Sequence, residues 1–215
     1  MGIIAYVGPF VVFLALRWLP VPAEWLSPIR LVVVAATIIL VGRRNRLPHP
    51  PHHIFGSILV GVAVLAIWIA PDTIWHGYRG FWLFHNSITG VAKSSLPVHL
   101  KSNVFFITTR VVESAVVIPI VEELFWRGWL MRWLIRPDFE SVPLGTYTLL
   151  SFWATALLFA SEHGPYWDVG LLAGIFYNWW MVRTRSLADC MIAHGVTNAL
   201  LAAYVLIFDQ WQYWM

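Results

Sequence analysis

The sequence predicts an all-α protein, a polytopic transmembrane helical bundle of about seven spans, and three observations carry that reading. Of 215 residues, 59% are hydrophobic and only 12% are charged, whereas a water-facing domain carries about 25% charged residues. Apolar runs approaching the roughly 17–25 residues needed to cross a hydrocarbon layer recur along the chain. Lys and Arg gather at the ends of those runs, and the 14 tryptophans suit the headgroup level, where amphipathic rings settle. The net charge of +3 is too small and scattered for a nucleic-acid surface, and no glycine-rich phosphate loop is present. A single cysteine excludes an intrachain disulfide.

The expected spans are Ile3–Leu19, Ile29–Gly42, Ile54–Ala70, a long segment about Arg110–Ile135, Leu144–His163, Val169–Val182 and Leu187–Phe208. The first lacks a basic start and a small-residue cleavage site, so it reads as a retained span and not a signal peptide. Pro20 and Pro22 end it, and Pro48, Pro50 and Pro51 separate the short second span from the third. The stretch Pro71–Lys101 is the longest without apolar continuity, with an interfacial segment around Phe81–Phe84. The fourth segment exceeds a straight crossing at about 1.5 Å per residue, so either Pro119 kinks it or its start lies along the interface. Pro137 and Gly164-Pro165 bound the fifth span. The run Ser186 to Asp189 reads as a capping box opening the last, which makes Asp189 structural.

Three loops carry the basic residues: Arg43, Arg44 and Arg46; Arg132 and Arg136; Arg183 and Arg185. With seven spans all three fall on one side, and the positive-inside rule puts that side and the N-terminus in the cytoplasm. His49, His52 and His53 share the first of these loops, where a Pro-rich solvated connector is a better reading than a metal site.

An ionisable side chain inside a span costs about 2.5–3.5 kcal/mol on insertion scales, so such residues face the protein interior and do something there. They cluster late: Arg110, Glu113, Glu122, Glu123, Arg127, Glu162, His163, Asp189 and His194. Residues 1–101 therefore read as a transmembrane scaffold of about three spans, and residues 102–215 as a catalytic core. Glu123 and Arg127 stand at i and i+4 with the acid first, the favourable order for a helical ion pair. Glu122 is turned about 100° away and is left as a carboxylate needing another partner. His163 follows Phe159 by four residues at the end of the fifth span. His194 and Asn198 share one face of the seventh, as does Cys190. A Cys-His-Asn hydrolase would leave Glu122 and His163 unexplained, so Cys190 reads as a small buried apolar residue.

These three segments, in this order, resemble the type II CAAX prenyl endopeptidases and their bacterial relatives, the CPBP intramembrane proteases. Their pattern is EExxxR, then FxxxH, then HxxxN or HxxxD. It is matched by Glu122, Glu123 and Arg127, by Phe159 and His163, and by His194 and Asn198, with the accompanying Gly128 and Gly174. The resemblance covers roughly residues 119–198. The run from Ile118 to Trp133 looks closest to bacterial CAAX-protease-related proteins found with exosortase and PEP-CTERM sorting systems, which implies a bacterial inner membrane. The resemblance implies an intramembrane endopeptidase acting on a membrane-tethered peptide or protein, with membrane lipid as the other partner. Glu122 and His163 would activate water, His194 and Asn198 would stabilise the oxyanion, and Glu123 and Arg127 would hold the helix.

No cofactor is favoured. A second version places zinc on Glu122, His163 and His194, since two imidazoles and a carboxylate leave one coordination position open. Non-enzymatic alternatives are a membrane scaffold or immunity-type protein, disfavoured because no motif residue is missing, and a proton-coupled transporter, disfavoured because no paired repeats are seen. One tension remains in the pattern: His163 lies at the far end of its span and His194 near the cytoplasmic end of its own. The two meet only if the fifth helix starts late or tilts.

Overall fold

A computed structural model of the chain describes residues 2–45 and 50–214, with the backbone alone at 43–45. The described residues are almost entirely helical. Helix α1 is Gly2–Ala15, α2 Ala23–Asn45, α3 Ile54–Ile74, α4 Val104–Trp133, α5 Leu149–Ser161, α6 Trp167–Thr184 and α7 Leu187–Phe208. Four of them, over Ala23–Gly42, Ile54–Ile74, Val104–Trp133 and Leu187–Phe208, are long and apolar enough to cross a membrane, against the seven expected from sequence. Two further apolar helices, Gly2–Trp18 and Leu149–Ser161, are shorter. Large apolar side chains lie bare along the outer faces, among them Leu40, Phe55, Val32 and Ile207, each at least two-thirds exposed. A contiguous apolar exterior of this kind suits lipid as solvent. The protein is an all-α, multi-pass integral membrane bundle.

The starts of α3 and α7 mark one end of the bundle. There, the Asp189 carboxylate at the start of α7 accepts the backbone N–H groups of His52 (3.1 Å) and His53 (2.8 Å) at the start of α3. Ser186 caps α7 by accepting the Asp189 N–H, so Asp189 is structural, but it ties two helix starts together and does not close a box on its own turn. Arg46 and His49 lie outside the described residues. Arg132, counted from sequence as a loop charge, is buried: it donates to the carbonyls of Gly128 (2.6 Å) and Val142 (3.2 Å) and sits over the rings of Tyr6 and Phe139.

The other end is closed by segments that are not transmembrane helices. Helix α5 has 13 residues, about 20 Å at 1.5 Å per residue, against a hydrocarbon layer of about 30 Å. The turn Gly164–Tyr166 between α5 and α6 therefore stops short of the bundle's rim. Residues 75–103 fold over it. Arg79 pairs with Asp72 and Asp168, donates to the Pro165 carbonyl at 2.8 Å and lies over the Tyr166 ring. Trp167 donates to the Leu83 carbonyl, and the Tyr213 hydroxyl donates to Asp72. Of the expected interfacial segment, Phe81 and Trp82 are exposed while Phe84 is buried against Trp167.

Helix α4 is 30 residues long, and its winding departs from α twice, with π turns over Glu113–Val117 and Leu124–Leu130. The first has a cause in the sequence. Pro119 has no N–H, so the Ala115 carbonyl loses its helical donor, and the Ile118 N–H bonds the Glu113 carbonyl in place of that of Ser114. The side-chain amide of Asn198 on α7 donates to the Ser114 carbonyl at 2.8 Å. The Ala115 carbonyl lies 2.8 Å from where a Cβ would stand on Gly195, so the two helices touch backbone to backbone. The second π turn puts Arg127 on the bundle axis, where it is fully buried.

Helices α3 and α7 also meet without an intervening side chain. A Cβ on Gly61 would lie 2.5 Å from the Ala193 carbonyl and 2.7 Å from Val196 Cβ, and that carbonyl belongs to rigid backbone. We expect Gly61→Ala to destabilise the bundle by about 1–3 kcal/mol through overpacking, measured as a lowered melting temperature in detergent, whereas Gly80→Ala, with open space around it, leaves the melting temperature unchanged.

Candidate functional site

Helices α4, α5, α6 and α7 each bring one piece of the site. The deepest is the Glu123–Arg127 pair, both side chains wholly buried, with Arg127 Nη1 donating to Glu123 Oε1 at 2.9 Å. Arg127 spends its other donors on α6: Nε on Asn178 Oδ1 at 2.9 Å and Nη2 on the Gly174 carbonyl at 3.3 Å. Asn178 continues to the Phe152 carbonyl on α5 at 2.8 Å. The guanidinium also stands over the rings of Phe159 and Tyr177. One arginine thus joins three helices, as the i, i+4 spacing could not reveal.

The same Glu123 oxygen holds His194, whose Nδ1 lies 3.0 Å away. An ionised carboxylate only accepts, so Nδ1 carries the proton and a neutral His194 keeps its lone pair on Nε2. Nε2 faces Glu122 Oε2 at 4.0 Å, too far for a direct hydrogen bond and suited to one bridging water or to a reacting group. Tyr177 stacks on the His194 ring with centroids 4.8 Å apart, and its hydroxyl donates to Thr197 Oγ1 at 2.8 Å. That hydroxyl in turn donates to the Gly61 carbonyl at 2.9 Å, so the His194 plane is fixed from α3 through α6.

Glu122, one residue along from Glu123, points elsewhere. Its side chain is 13% exposed, and among the described residues its buried Oε2 has no hydrogen-bond partner. An unmet buried carboxylate oxygen is uncommon in a native fold and marks a position where water or a ligand belongs. His163 Nδ1 is 2.8 Å from the Phe159 carbonyl, which again puts the proton on Nδ1 and the lone pair on Nε2.

Glu122, His163, His194 and Asn198 line one cavity of about 530 Å³. The sequence conflict over depth resolves as a late start: α5 begins at Leu149, five residues after the start expected from sequence, and the chain turns back at His163 before reaching the rim. Asn198 reaches the cavity with one amide proton already given to Ser114 and the second free to act. Glu162 is exposed and outside the lining; Cys190 is wholly buried, its sulfur 3.8 Å from the Tyr177 carbonyl and from Met181 Sδ, and it too is outside the lining. Glu122, His163 and His194 do not draw together as metal ligands: among the described residues no three His, Cys, Asp or Glu side chains form such a group.

The remaining wall comes from residues to which the sequence reading gave no role. Arg30 on α2 pairs with Glu113 on α4, Nε to Oε1 at 2.7 Å and Nη2 to Oε2 at 3.3 Å, and both line the cavity with Arg17, Trp68 and Arg110. Residues 1–101, expected from sequence to be scaffold, thus supply cavity wall. Charge inside an apolar run was the signal that could have paired Arg30 with Glu113, but no spacing rule connects helices 83 residues apart.

Removing one partner of a fully buried ion pair strands the other charge, at a cost of about 3–5 kcal/mol. Arg127→Leu is expected to lose at least that much stability, because Glu123 and Asn178 lose their donor together. Arg127→Lys, which keeps the charge but cannot reach Glu123, Asn178 and Gly174 at once, falls between. Thermal melts in detergent read both, and an Arg127→Leu protein as stable as the parent would remove the pair from its structural role.

No curated protein and no solved structure matches the chain. Residues 103–200, just under half of the chain and spanning all of the motif residues, match the family model described as Type II CAAX prenyl endopeptidase Rce1-like, so the chain carries a domain of that type over those residues.

Proposed function

We propose that this chain is an intramembrane endopeptidase hydrolysing a peptide bond of a membrane-associated substrate. The observation that carries the reading is the convergence of Glu122, His163, His194 and Asn198 on one cavity inside an apolar bundle. Peptide hydrolysis needs an activated water, stabilisation of a developing oxyanion and a proton for the leaving amine. In this reading Glu122 and His163 Nε2 hold and deprotonate the water, the first with its unmet oxygen and the second with its lone pair. Asn198 gives its second N–H to the oxyanion. His194, held at Nδ1 by Glu123, presents Nε2 to the same oxyanion. Glu122 then returns the proton to the departing amine. Glu123 and Arg127 position and do not touch substrate.

The coarser family assignment and the apolar exterior support a membrane enzyme. We further propose residues 102–215 as its catalytic core and 1–101 as scaffold, and a seven-span arrangement in which α1, α5 and α6 complete the crossings with the help of residues 71–101. The N-terminus then faces the cytoplasm of a bacterial inner membrane, by the positive-inside rule. The likeness of the run from Ile118 to Trp133 to the CAAX-protease-related proteins of exosortase systems supports that placement in the reading. Its substrate would be membrane-tethered.

Purified protein in liposomes, presented with quenched-fluorescent apolar peptides, tests the reading. Glu122→Gln and His163→Ala are each expected to lower turnover by at least about a hundredfold, as general acid–base residues do, with melting temperatures close to the parent. Turnover is also expected to survive a strong chelator. Full activity in Glu122→Gln would sink the proposal, and loss on chelation with recovery on added zinc would replace the metal-free mechanism.

A further inference from the structure

A second cleft, of about 550 Å³, opens where α3 and α7 finish, at the end of the bundle away from Asp189. Its volume is in the range of small-ligand sites. Asp72 and Trp75 reach it from the end of α3, Asp209 and Trp211 from the end of α7, and Arg79, Lys93 and Lys101 from the segment 75–103 that covers the short hairpin. Ile74, Trp75, Ile207 and Phe208, each more than half exposed, carry the apolar exterior up to this level. Tryptophan at the end of a span marks headgroup depth, so the cleft lies where the phosphates of a bilayer lie.

The acids around the cleft are already engaged. Asp72 accepts from Arg79 Nε at 3.0 Å and from the Tyr213 hydroxyl at 2.8 Å, Asp168 behind it accepts from Arg79 and Tyr78, and Asp209 accepts from Trp211. The two lysines are not. Lys93 is exposed and Lys101 half-buried, its ammonium 5.1 Å from the Trp211 ring centre, and among the described residues neither pairs with a carboxylate. Arg79 adds a third donor. Its side chain is 9% exposed, and among the described residues its buried Nη2 has no hydrogen-bond partner, a condition that marks a place for water or a ligand. Counted with Asp72, Asp168 and Asp209, the three cations sum to no net charge. The cleft thus offers placed donors and not a broad field, which suits one small anion with several oxygens.

We propose that this cleft binds a phosphate group, from a phospholipid headgroup or a soluble phosphate ester, with Lys93 and Lys101 as its cations and Arg79 Nη2 as a further donor. Depth favours the headgroup, and basic pockets beside spanning helices take headgroups on the same chemistry. The three donors come from separate parts of the covering segment, Arg79 from the turn Tyr78–Gly80, Lys93 from the loop and Lys101 from the turn Val98–Ser102. One phosphate among them therefore clamps that segment onto the bundle. The cleft also backs onto the cavity of Glu122 and His163: Ser94 lines the one and Ser95 the other, and Ser94 Oγ donates to the Trp214 carbonyl at 3.2 Å in the wall between them.

An anisotropy titration of the purified protein in dodecyl maltoside tests this, with a tail-labelled short-chain phosphatidylglycerol as the probe. Unlabelled dihexanoyl phosphatidylglycerol and dihexanoyl phosphatidylethanolamine are expected to displace it, and dihexanoylglycerol, which has no phosphate, is not. Lys93→Gln combined with Lys101→Gln is expected to weaken probe binding by at least about tenfold, the size of one charge-assisted contact, with a melting temperature close to the parent. If the double variant fails to fold, Lys93→Gln alone, at an exposed position, is read against the same probe. Displacement by sn-glycerol 3-phosphate at the concentrations where the lipids act assigns the phosphate to a soluble ester, and displacement by the lipids alone assigns it to a headgroup. Equal displacement by dihexanoylglycerol, or probe affinity unchanged by the lysine substitutions, overturns the proposal. An apolar peptide with a free carboxylate that displaces the probe better than either phospholipid overturns it too, because the cleft then belongs to the path of a peptide.

Discussion

The Glu123–Arg127 pair is the constraint around which the bundle is arranged. Both side chains are wholly buried, where a lone charge would be prohibitive and even a pair needs its remaining donors and acceptors met. The protein meets most of them from other helices: Asn178 and the Gly174 carbonyl for Arg127, His194 for Glu123. Gly174 also lets α6 approach α5, since a Cβ there would stand 3.2 Å from Ala156 backbone atoms. The pair therefore does little for net stability by itself. It fixes which helices lie together and in what register, because any slip of α6 or α7 strands a charge. The motif of one acid and one arginine on α4 acts as an alignment device for the three helices that carry the rest of the site.

Departures from ideal helix sit where the site needs them. Pro119 and the π turn before it leave the carbonyls of Ala115 and Ser114 without helical donors, and Asn198 and Gly195 on α7 fill the gap with an amide and a close backbone approach. A second π turn carries Arg127. A straight α-helix would pass the same side chains around the axis at 100° per residue. Glu122 and Glu123 lie in the regular α stretch between the two π turns, where that step alone turns one to the cavity and the other to the arginine. Asn198 illustrates the economy: the amide that completes α4 is held in place by that bond, and its second N–H is thereby aimed.

The sequence displayed some of this more plainly than the rest. Helix α7 was legible to the residue, because Ser186 is an N-cap followed by a largely apolar run ending at Phe208. The pair Glu123 and Arg127, the odd status of Glu122 and the shared face of His194 and Asn198 were legible too, since each depends on spacing within one helix. What was hidden depends on distance in sequence. Nothing local ties Arg30 to Glu113, Arg79 to Asp168 or Asn178 to Arg127. Arg132 looked like a loop charge because a basic residue at a helix end is usually solvated, yet two carbonyls and two rings enclose it. The difference between four long apolar helices and the seven expected spans has a related origin. Apolar composition marks α5 as embedded but not how deep it reaches, and its turn is roofed by residues 75–103, which hydropathy reads only as a loop.

That roof bears on how a membrane-buried site is reached. Had α5 run the full thickness, His163 would lie at the rim, well away from His194. By stopping after 13 residues, α5 sets His163 inside the bundle, where it lines the same cavity as Glu122. The shortened hairpin leaves polar backbone at membrane depth, which is tolerated only where protein covers it or a cavity lies beside it. Arg79 covers the Pro165 carbonyl from one side, and the cavity lies on the other, with Trp68 edge-to-face with His163 and stacked on Tyr166 at the boundary. Burial of the catalytic candidates and the presence of a covering loop are thus two faces of one geometric choice, the length of α5. Lengthening that helix would have made a simpler membrane span at the expense of the site.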